Sequence, residues 1–265
     1  MIEIRHREFA NGAVYALQTK DGYPVEVTDT FLPYYTKDAI GKHQNKLNNY
    51  ELGSRDERWM IGVSCMSGCP VRCKFCATGQ LKRYRNLTAE EIVEQVMFIV
   101  DKYGIEQAKR AKEFKINYTR MGEPFLNIKE VKKAIDLLDT KFSAEDVIIH
   151  HYISTIGIKG SDFSWIKDNI TLQLSLHSLD EDRRNELIPF KNKMTIEELG
   201  QIRTNSELKT TLNMTLVDEL DFDIVKLQKY FDKESFFIKL SPINVNVVSE
   251  KNEMGKGIIE GINLI

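Results

Sequence analysis

Trp59-Met-Ile-Gly-Val-Ser64-Cys65-Met-Ser-Gly-Cys69-Pro-Val-Arg-Cys73-Lys-Phe-Cys76 runs from a short apolar strand directly into a crowd of cysteines. Cys69, Cys73 and Cys76 form a Cys-x3-Cys-x2-Cys run, a spacing that can give three thiolates to one iron–sulfur cubane and leave its fourth iron open. Soft thiolates select Fe–S, zinc or Cu(I) over hard-ligand metals, and Val71 and Phe75 would keep such a cluster partly dry. A second reading uses all four cysteines, Cys65 included, around a structural zinc. Zinc sites usually come as two separated pairs with a spacer, which this run lacks. A disulfide framework does not fit: all four cysteines lie within one short segment, and no signal peptide is recognisable ahead of them.

Composition narrows the classes. A chain of 265 residues that is 42% hydrophobic can bury one large core. One barrel-like domain with an appendage and two separate domains both remain open. The longest apolar runs are too short to span a bilayer, so no membrane partner and a cytoplasmic enzyme are expected. With formal net charge -2, the chain as a whole carries no polyanion-binding signal, and nucleic-acid contact would need a local patch. Arg72, Lys74, Lys82, Arg83 and Arg85, with Tyr84 between them, form one candidate. The same residues could equally be a solvated loop. Lys109, Arg110, Lys112 and Lys115 suit an exposed helix face.

Outward from the cysteines the chain alternates strands and helices. Thr88-Ala-Glu-Glu91 fits a capping box, opening a helix to about Tyr103 with Ile92, Val93, Val96, Met97 and Val100 at core spacing. Further strands are expected at 114–119, 147–155, 171–177, 209–216 and 236–240, with helices such as 128–138 and 222–231 among them. Counting 59–64, that makes six. Repeated strand–helix units imply a parallel sheet with right-handed crossovers, and ligand sites then gather at the carboxyl ends of the strands. The cysteine loop follows the first such end. Ahead of it, residues 13–33 read as a β-hairpin around Lys20-Asp-Gly22. Tyr34 to Arg58 is a polar stretch with at most a short helix. The expected division is an N-terminal extension over 1–56 and a core over 57–265.

The cysteine run resembles the signature of the radical S-adenosylmethionine (SAM) superfamily, and Thr119-Arg-Met-Gly122-Glu123-Pro124 resembles its Gly-Glu-Pro motif. The resemblance implies an α/β fold, a partial (β/α)6 barrel of TIM type. It also implies a [4Fe–4S] cluster on Cys69, Cys73 and Cys76 beside Phe75, and SAM chelating the open iron. Reductive cleavage would yield a 5′-deoxyadenosyl radical, with electrons from an external donor such as flavodoxin or ferredoxin. Gly122 and Glu123 would hold the SAM amino group. Ser154, the stretch Ser175-Leu176-His177, and Asn244 would contact its ribose, carboxylate and adenine. His150 and His151 lie before the active end of their strand and should pack or face solvent.

Residues 174–189, 86–92 and 121–124 look similar to one subgroup, the adenine methyltransferases of ribosomal and transfer RNA. That makes RNA or a nucleotide base the substrate implied, and Glu26 in Val25-Glu-Val matches a position proposed as a proton acceptor. The likeness has gaps. The subgroup uses a methyl-carrying cysteine near the C-terminus and a resolving cysteine shortly before the cluster. Here no cysteine follows Cys76, Gly62 stands at the resolving position, and the chain ends at Ile265 where relatives continue. Cys65 is out of register and reads as a packed strand-end residue. The expectation is therefore a radical SAM enzyme whose deoxyadenosyl radical abstracts hydrogen directly. The alternatives are a truncated or diverged RNA adenine methyltransferase and, from another class, a zinc-stabilised nucleic-acid-binding module.

Overall fold

The computed structural model describes residues 1–34, 52–216, 222–243, 246–252 and 254. The polar stretch expected after Tyr34 lies largely outside them, as does Asn244. In chain order the elements are β1 (Ile2–Phe9), β2 (Gly12–Gln18), β3 (Pro24–Leu32), β4 (Arg58–Val63), β5 (Met66–Ser67), β6 (Arg85–Asn86), α1 (Ala89–Tyr103) and α2 (Ile105–Arg110). There follow β7 (Glu113–Tyr118), α3 (Ile128–Ser143), β8 (Ile149–Thr155), β9 (Ile170–Ser175), α4 (Glu181–Leu187) and α5 (Ile196–Gly200). The last are β10 (Thr210–Leu216), α6 (Ile224–Tyr230), β11 (Phe236–Pro242) and α7 (Val247–Lys251). All six strands expected from Trp59 onward are present, as β4, β7, β8, β9, β10 and β11.

Two compact units emerge, one from residues 1–65, 87–120 and 129–151, the other from 66–86, 121–128 and 152–265. In the first unit the strand order is β1-β2-β3-β4-β7-β8. The pairs β1–β2, β2–β3 and β3–β4 are antiparallel, and β4–β7 is parallel. The expected hairpin is thus β2 and β3 around Gly22, whose φ of 85° needs a glycine. A further strand, β1, precedes it. Its sequence Ile-Glu-Ile-Arg-His-Arg-Glu-Phe is exposed on nearly every residue, so no buried stripe announces it.

Helix α1 forms for the reason its sequence suggests. Thr88 Oγ1 accepts from Glu91 N–H at 3.2 Å, and the Glu91 carboxylate accepts from Thr88 N–H at 2.9 Å, a reciprocal cap worth about 1 kcal/mol. Ile92, Val96, Ile99 and Val100 are buried, and Gly104 at φ 81° ends the helix. From its buried face Gln95 accepts from Ser64 N–H at 2.8 Å and donates to Ser64 O at 3.0 Å. One amide thereby satisfies both backbone groups at the end of β4.

The core of this unit closes on Trp59. Its ring stacks on Phe114 with centroids 4.8 Å apart and meets Tyr103 edge-on at 5.8 Å. Its indole N–H donates to Asp29 at 2.7 Å. Asp29, fully buried, also accepts from Arg55 Nε at 3.2 Å and from Tyr103 Oη at 2.9 Å. Burying a carboxylate costs several kcal/mol unless donors answer it. These donors join β3, β4, α1 and the segment before β4.

The second unit holds the cysteine loop, clasped at its base by the antiparallel pair β5–β6, and the strand order β8-β9-β10-β11. The pairs β9–β10 and β10–β11 are parallel. Strand β8 begins in the first unit and ends in the second. No helix among the described residues is long and apolar enough to cross a membrane.

Asp29→Ala should destabilise the protein by about 3–5 kcal/mol, because it strands a half-buried guanidinium. Urea unfolding followed by tryptophan fluorescence measures this, and a loss below 1 kcal/mol would show that the cluster is not a keystone.

Candidate functional site

The residues expected to hold cluster and SAM, apart from Asn244, all belong to the described part of the second unit. The loop from Gly68 to Tyr84 is fixed by backbone groups. Met66 N–H donates to Met121 O at 3.1 Å, Lys74 N–H to Leu187 O at 2.9 Å, and Cys76 N–H to Cys73 O at 3.1 Å. Asn246 Nδ2 donates to Phe75 O at 3.0 Å while its Oδ1 caps α7. Arg72 sits at φ 57°, a conformation that costs a non-glycine residue energy and that the surroundings must impose.

Cys69, Cys73 and Cys76 are half-buried and form no disulfide. Burial pushes the Cys69 thiol up to about 12, Glu123 and Cys76 add to the rise, and N–H groups of Val71 and Arg72 oppose it. Cys73 is raised well above its ordinary value, again mainly by burial and then by the other two thiols and Glu123. The sulfurs of Cys69 and Cys73 therefore lie where negative charge is resisted unless cations arrive with it. Iron fits that demand. Tetrahedral zinc asks for four ligands around one point, whereas in a cubane each thiolate takes its own iron, which suits a run of three cysteines. The zinc-stabilised module is not favoured.

Gly122 has φ 103°, and a Cβ there would lie 2.6 Å from Met66 Cβ. Only glycine lets the turn press so close to β5. Glu123 follows, almost fully buried. Its Oε1 accepts from Phe125 N–H at 3.1 Å and its Oε2 from Ile156 N–H at 3.0 Å, with Thr155 as a further partner. Burial nevertheless lifts the carboxyl to about 7, against these hydrogen bonds.

The strand ends contribute polar groups. Ser154 Oγ donates to Gln173 Oε1 at 3.0 Å and accepts from Asn213 Nδ2 at 3.4 Å. Ser175 stands opposite Asn213 in the β9–β10 register. Leu176 is fully buried, and its N–H donates to Asn213 O at 3.0 Å. His177 occupies φ 62°; its Nδ1 accepts from Thr215 N–H at 3.2 Å, and its ring meets Phe75 edge-on at 4.8 Å. Burial, helped by Arg184, drives this histidine down to about 3. It is neutral and presents Nε2–H as a donor.

Sequence reasoning missed Gln173, Asn213, Asn246 and Arg184. Arg184 is fully buried, donates to Ile156 O and Met194 O at 2.7 Å each, and leaves its Nε unpartnered. Burial lowers its guanidinium to about 10. It stands in a stretch, 174–189, already similar to the subgroup. Gln173 and Asn213 carry no motif, since only the strand register brings them to Ser154.

Other expected residues belong to the first unit. Glu26 on β3 accepts from Arg120 Nε at 2.7 Å. Cys65 is buried after β4, its carbonyl taken by Leu87 N–H at 3.2 Å. His151 is buried between Tyr118 Oη at 3.1 Å and Asp139 at 3.0 Å, a packing role as expected. A Cβ on Gly62 would lie 2.3 Å from Thr28 Oγ1 and 3.0 Å from Arg120 Cδ. A cysteine there would have to displace one or both.

A family model described as "Radical SAM superfamily" matches residues 63–230. Among curated proteins, one named "Probable dual-specificity RNA methyltransferase RlmN" from Thermosipho melanesiensis is 34% identical over 191 residues, 69% of this chain and 54% of the relative. A protein of the same name from Chlorobium phaeobacteroides is 30% identical over 236 residues, 84% of this chain and 64% of the relative. The chain thus spans about half to two thirds of their length. A solved structure, "Crystal Structure of a radical SAM methyltransferase from Sphaerobacter thermophilus", superposes with TM-score 0.70 at 24% identity, covering 99% of this chain and 72% of that one. That likeness shows the α/β fold with its parallel sheet, in keeping with the partial TIM-type barrel.

Cys73→Ser protein, reconstituted anaerobically, should hold far less than the about four iron and four sulfide of a cubane, whereas Cys65→Ala should keep the full complement. Iron and sulfide analysis decides, and metal loss in the Cys65 variant would restore the four-cysteine reading.

Proposed function

The chain belongs to the radical SAM superfamily, and from that premise we propose that it binds a [4Fe–4S] cluster on Cys69, Cys73 and Cys76 and cleaves SAM reductively, acting on a nucleotide or an RNA base. The observation that carries this reading is the buried Glu123 carboxyl sharing an electrostatic environment with the cysteine thiols, next to a turn that only Gly122 permits. Bound together, cluster and SAM supply the deoxyadenosyl radical. The protein's own residues do the holding and aiming.

Each oxygen of Glu123 keeps hydrogen-bonding capacity beyond its backbone donors, so it can accept from the amino group of SAM. Ser154, held by Gln173 and Asn213, and Ser175 can offer hydroxyls to sugar or carboxylate oxygens. Neutral His177 can donate through Nε2 without adding charge, and Phe75 gives an apolar wall against it. Arg184 fixes the backbone at Ile156, whose N–H in turn holds Glu123. In this reading residues 57–265 are the catalytic core and 1–56 an extension to it. An external flavodoxin or ferredoxin is the reductant, and the cytoplasm the compartment.

The relatives' printed names favour a second reading, methyl transfer to RNA. Gly62 offers no thiol at the resolving position, so direct hydrogen abstraction is preferred. Incubation with dithionite, methyl-labelled SAM and RNA separates the two. Release of 5′-deoxyadenosine without label in RNA supports abstraction, and label in RNA supports methyl transfer. No cleavage despite full iron content counts against both.

Binding should also depend on pH in a definite sense. With its carboxyl near 7, cofactor-free Glu123 is mostly protonated at pH 6 and mostly ionised at pH 8. Accepting from the amino group needs the ionised form, so binding at the lower pH must first expel a proton. SAM affinity of cluster-loaded protein should weaken from pH 8 to pH 6. The Glu123→Gln protein should bind more weakly and lose that slope. Equilibrium dialysis measures both.

A further inference from the structure

The face of the N-terminal strands that carries Val14, Ala16 and Glu26 holds a cleft of about 580 Å³, outside the residues proposed to hold cluster and SAM. Its floor is Val14 and Ala16 of β2, small side chains on a strand whose larger residues, Tyr15 and Leu17, point into the core. One wall is β1. Arg5 stands opposite Ala16 and Arg7 opposite Val14, both exposed, and the Arg7 guanidinium lies over the Phe9 ring at 5.1 Å. The far wall is Glu26, opposite Ala16 on β3, with Arg120 paired to it. Glu26 neutralises Arg120, so Arg5 and Arg7 are a local positive excess on a chain of net charge -2.

These features suit one kind of occupant. Two guanidiniums on alternate residues of an extended strand sit about 7 Å apart along it, comparable to successive phosphates of an extended nucleic-acid strand. Phe9 is 49% exposed although it is apolar, and an aromatic face beside a basic strand is what unpaired bases stack upon. A shallow floor of Val and Ala admits a flat ring or a sugar but gives no deep pocket for a folded ligand.

We propose that this cleft docks a single-stranded segment of RNA, with Arg5 and Arg7 on phosphates and Phe9 under a base. The proposal deepens the nucleic-acid reading of the substrate and rests on it for the choice of RNA. It requires neither cluster nor SAM, so its failure is separable from failure of the cleavage reading.

The test is fluorescence anisotropy with a labelled single-stranded RNA 12-mer, titrated from 50 to 300 mM salt against wild type, R5A/R7A and Phe9→Ala. Each phosphate contact contributes about 0.7 to the slope of log K against log salt for a single strand. R5A/R7A should therefore flatten the slope by about 1.4 and, at 0.1 M salt, weaken binding about 25-fold. Phe9→Ala should weaken binding about five-fold or more and leave the slope unchanged. Lys82→Ala/Arg83→Ala, on the other basic loop, should have the smaller effect. Urea midpoints of the variants and their SAM cleavage without RNA should match wild type, since Arg5, Arg7 and Phe9 are exposed and outside the cofactor site. Unchanged affinity and slope in R5A/R7A overturns the proposal. So does an equal loss of binding to inorganic polyphosphate together with an inert Phe9→Ala, because the cleft would then be a charge patch only.

Discussion

Too much potential negative charge in too little water is the constraint on which the second unit depends. Cys69, Cys73 and Glu123 are desolvated, and the neighbouring Cys76 and Glu123 make ionisation of the two thiols harder still. Desolvation is the main reason that Glu123, Cys69 and Cys73 titrate above their usual ranges, and for the two thiols the neighbouring negative groups add to it. Such a collection is stable as neutral acids, or as anions around cations. The surrounding backbone is arranged for the second state: N–H groups of Val71 and Arg72 point at Cys69, and those of Phe125 and Ile156 point at Glu123.

Backbone strain lies where this arrangement needs it. Of the three non-glycine residues at positive φ among the described residues, Arg72 lies inside the cysteine run and His177 at the end of β9. Holding a residue there costs about 1–3 kcal/mol. Arg72 is packed against Gly79, and His177 is held by Thr215 and Phe75. Buried Arg184 ties α4 to the backbone at Ile156 and Met194. Loss of that tie would loosen the carbonyl whose neighbouring N–H steadies Glu123, a link from packing to chemistry.

Much of this was legible beforehand, for identifiable reasons. The six strands after Trp59 carry continuous or alternating apolar patterns, and the capping box at Thr88 is a local signal with a local cause. Cys69, Cys73, Cys76 and Gly122-Glu123 are contiguous in sequence, so spacing alone displays them. β1 was invisible because an exposed edge strand buries no stripe. The Ser154, Gln173 and Asn213 set was invisible because hydrogen bonds between different strands depend on register, and register is not written in any one segment. Arg184 looked like one more charge in Asp-Glu-Asp-Arg-Arg, and only tertiary packing distinguishes it from exposed neighbours.

The clasp of β5 on β6 has a consequence for how the metal arrives. Two residue pairs, Met66 with Asn86 and Ser67 with Arg85, close the loop from Gly68 to Tyr84 at its base. The entropy of bringing the loop ends together is thus met by the polypeptide itself, unlike in small zinc domains, where metal drives folding. The three cysteines therefore lie on a loop whose two ends are already held side by side by backbone pairing.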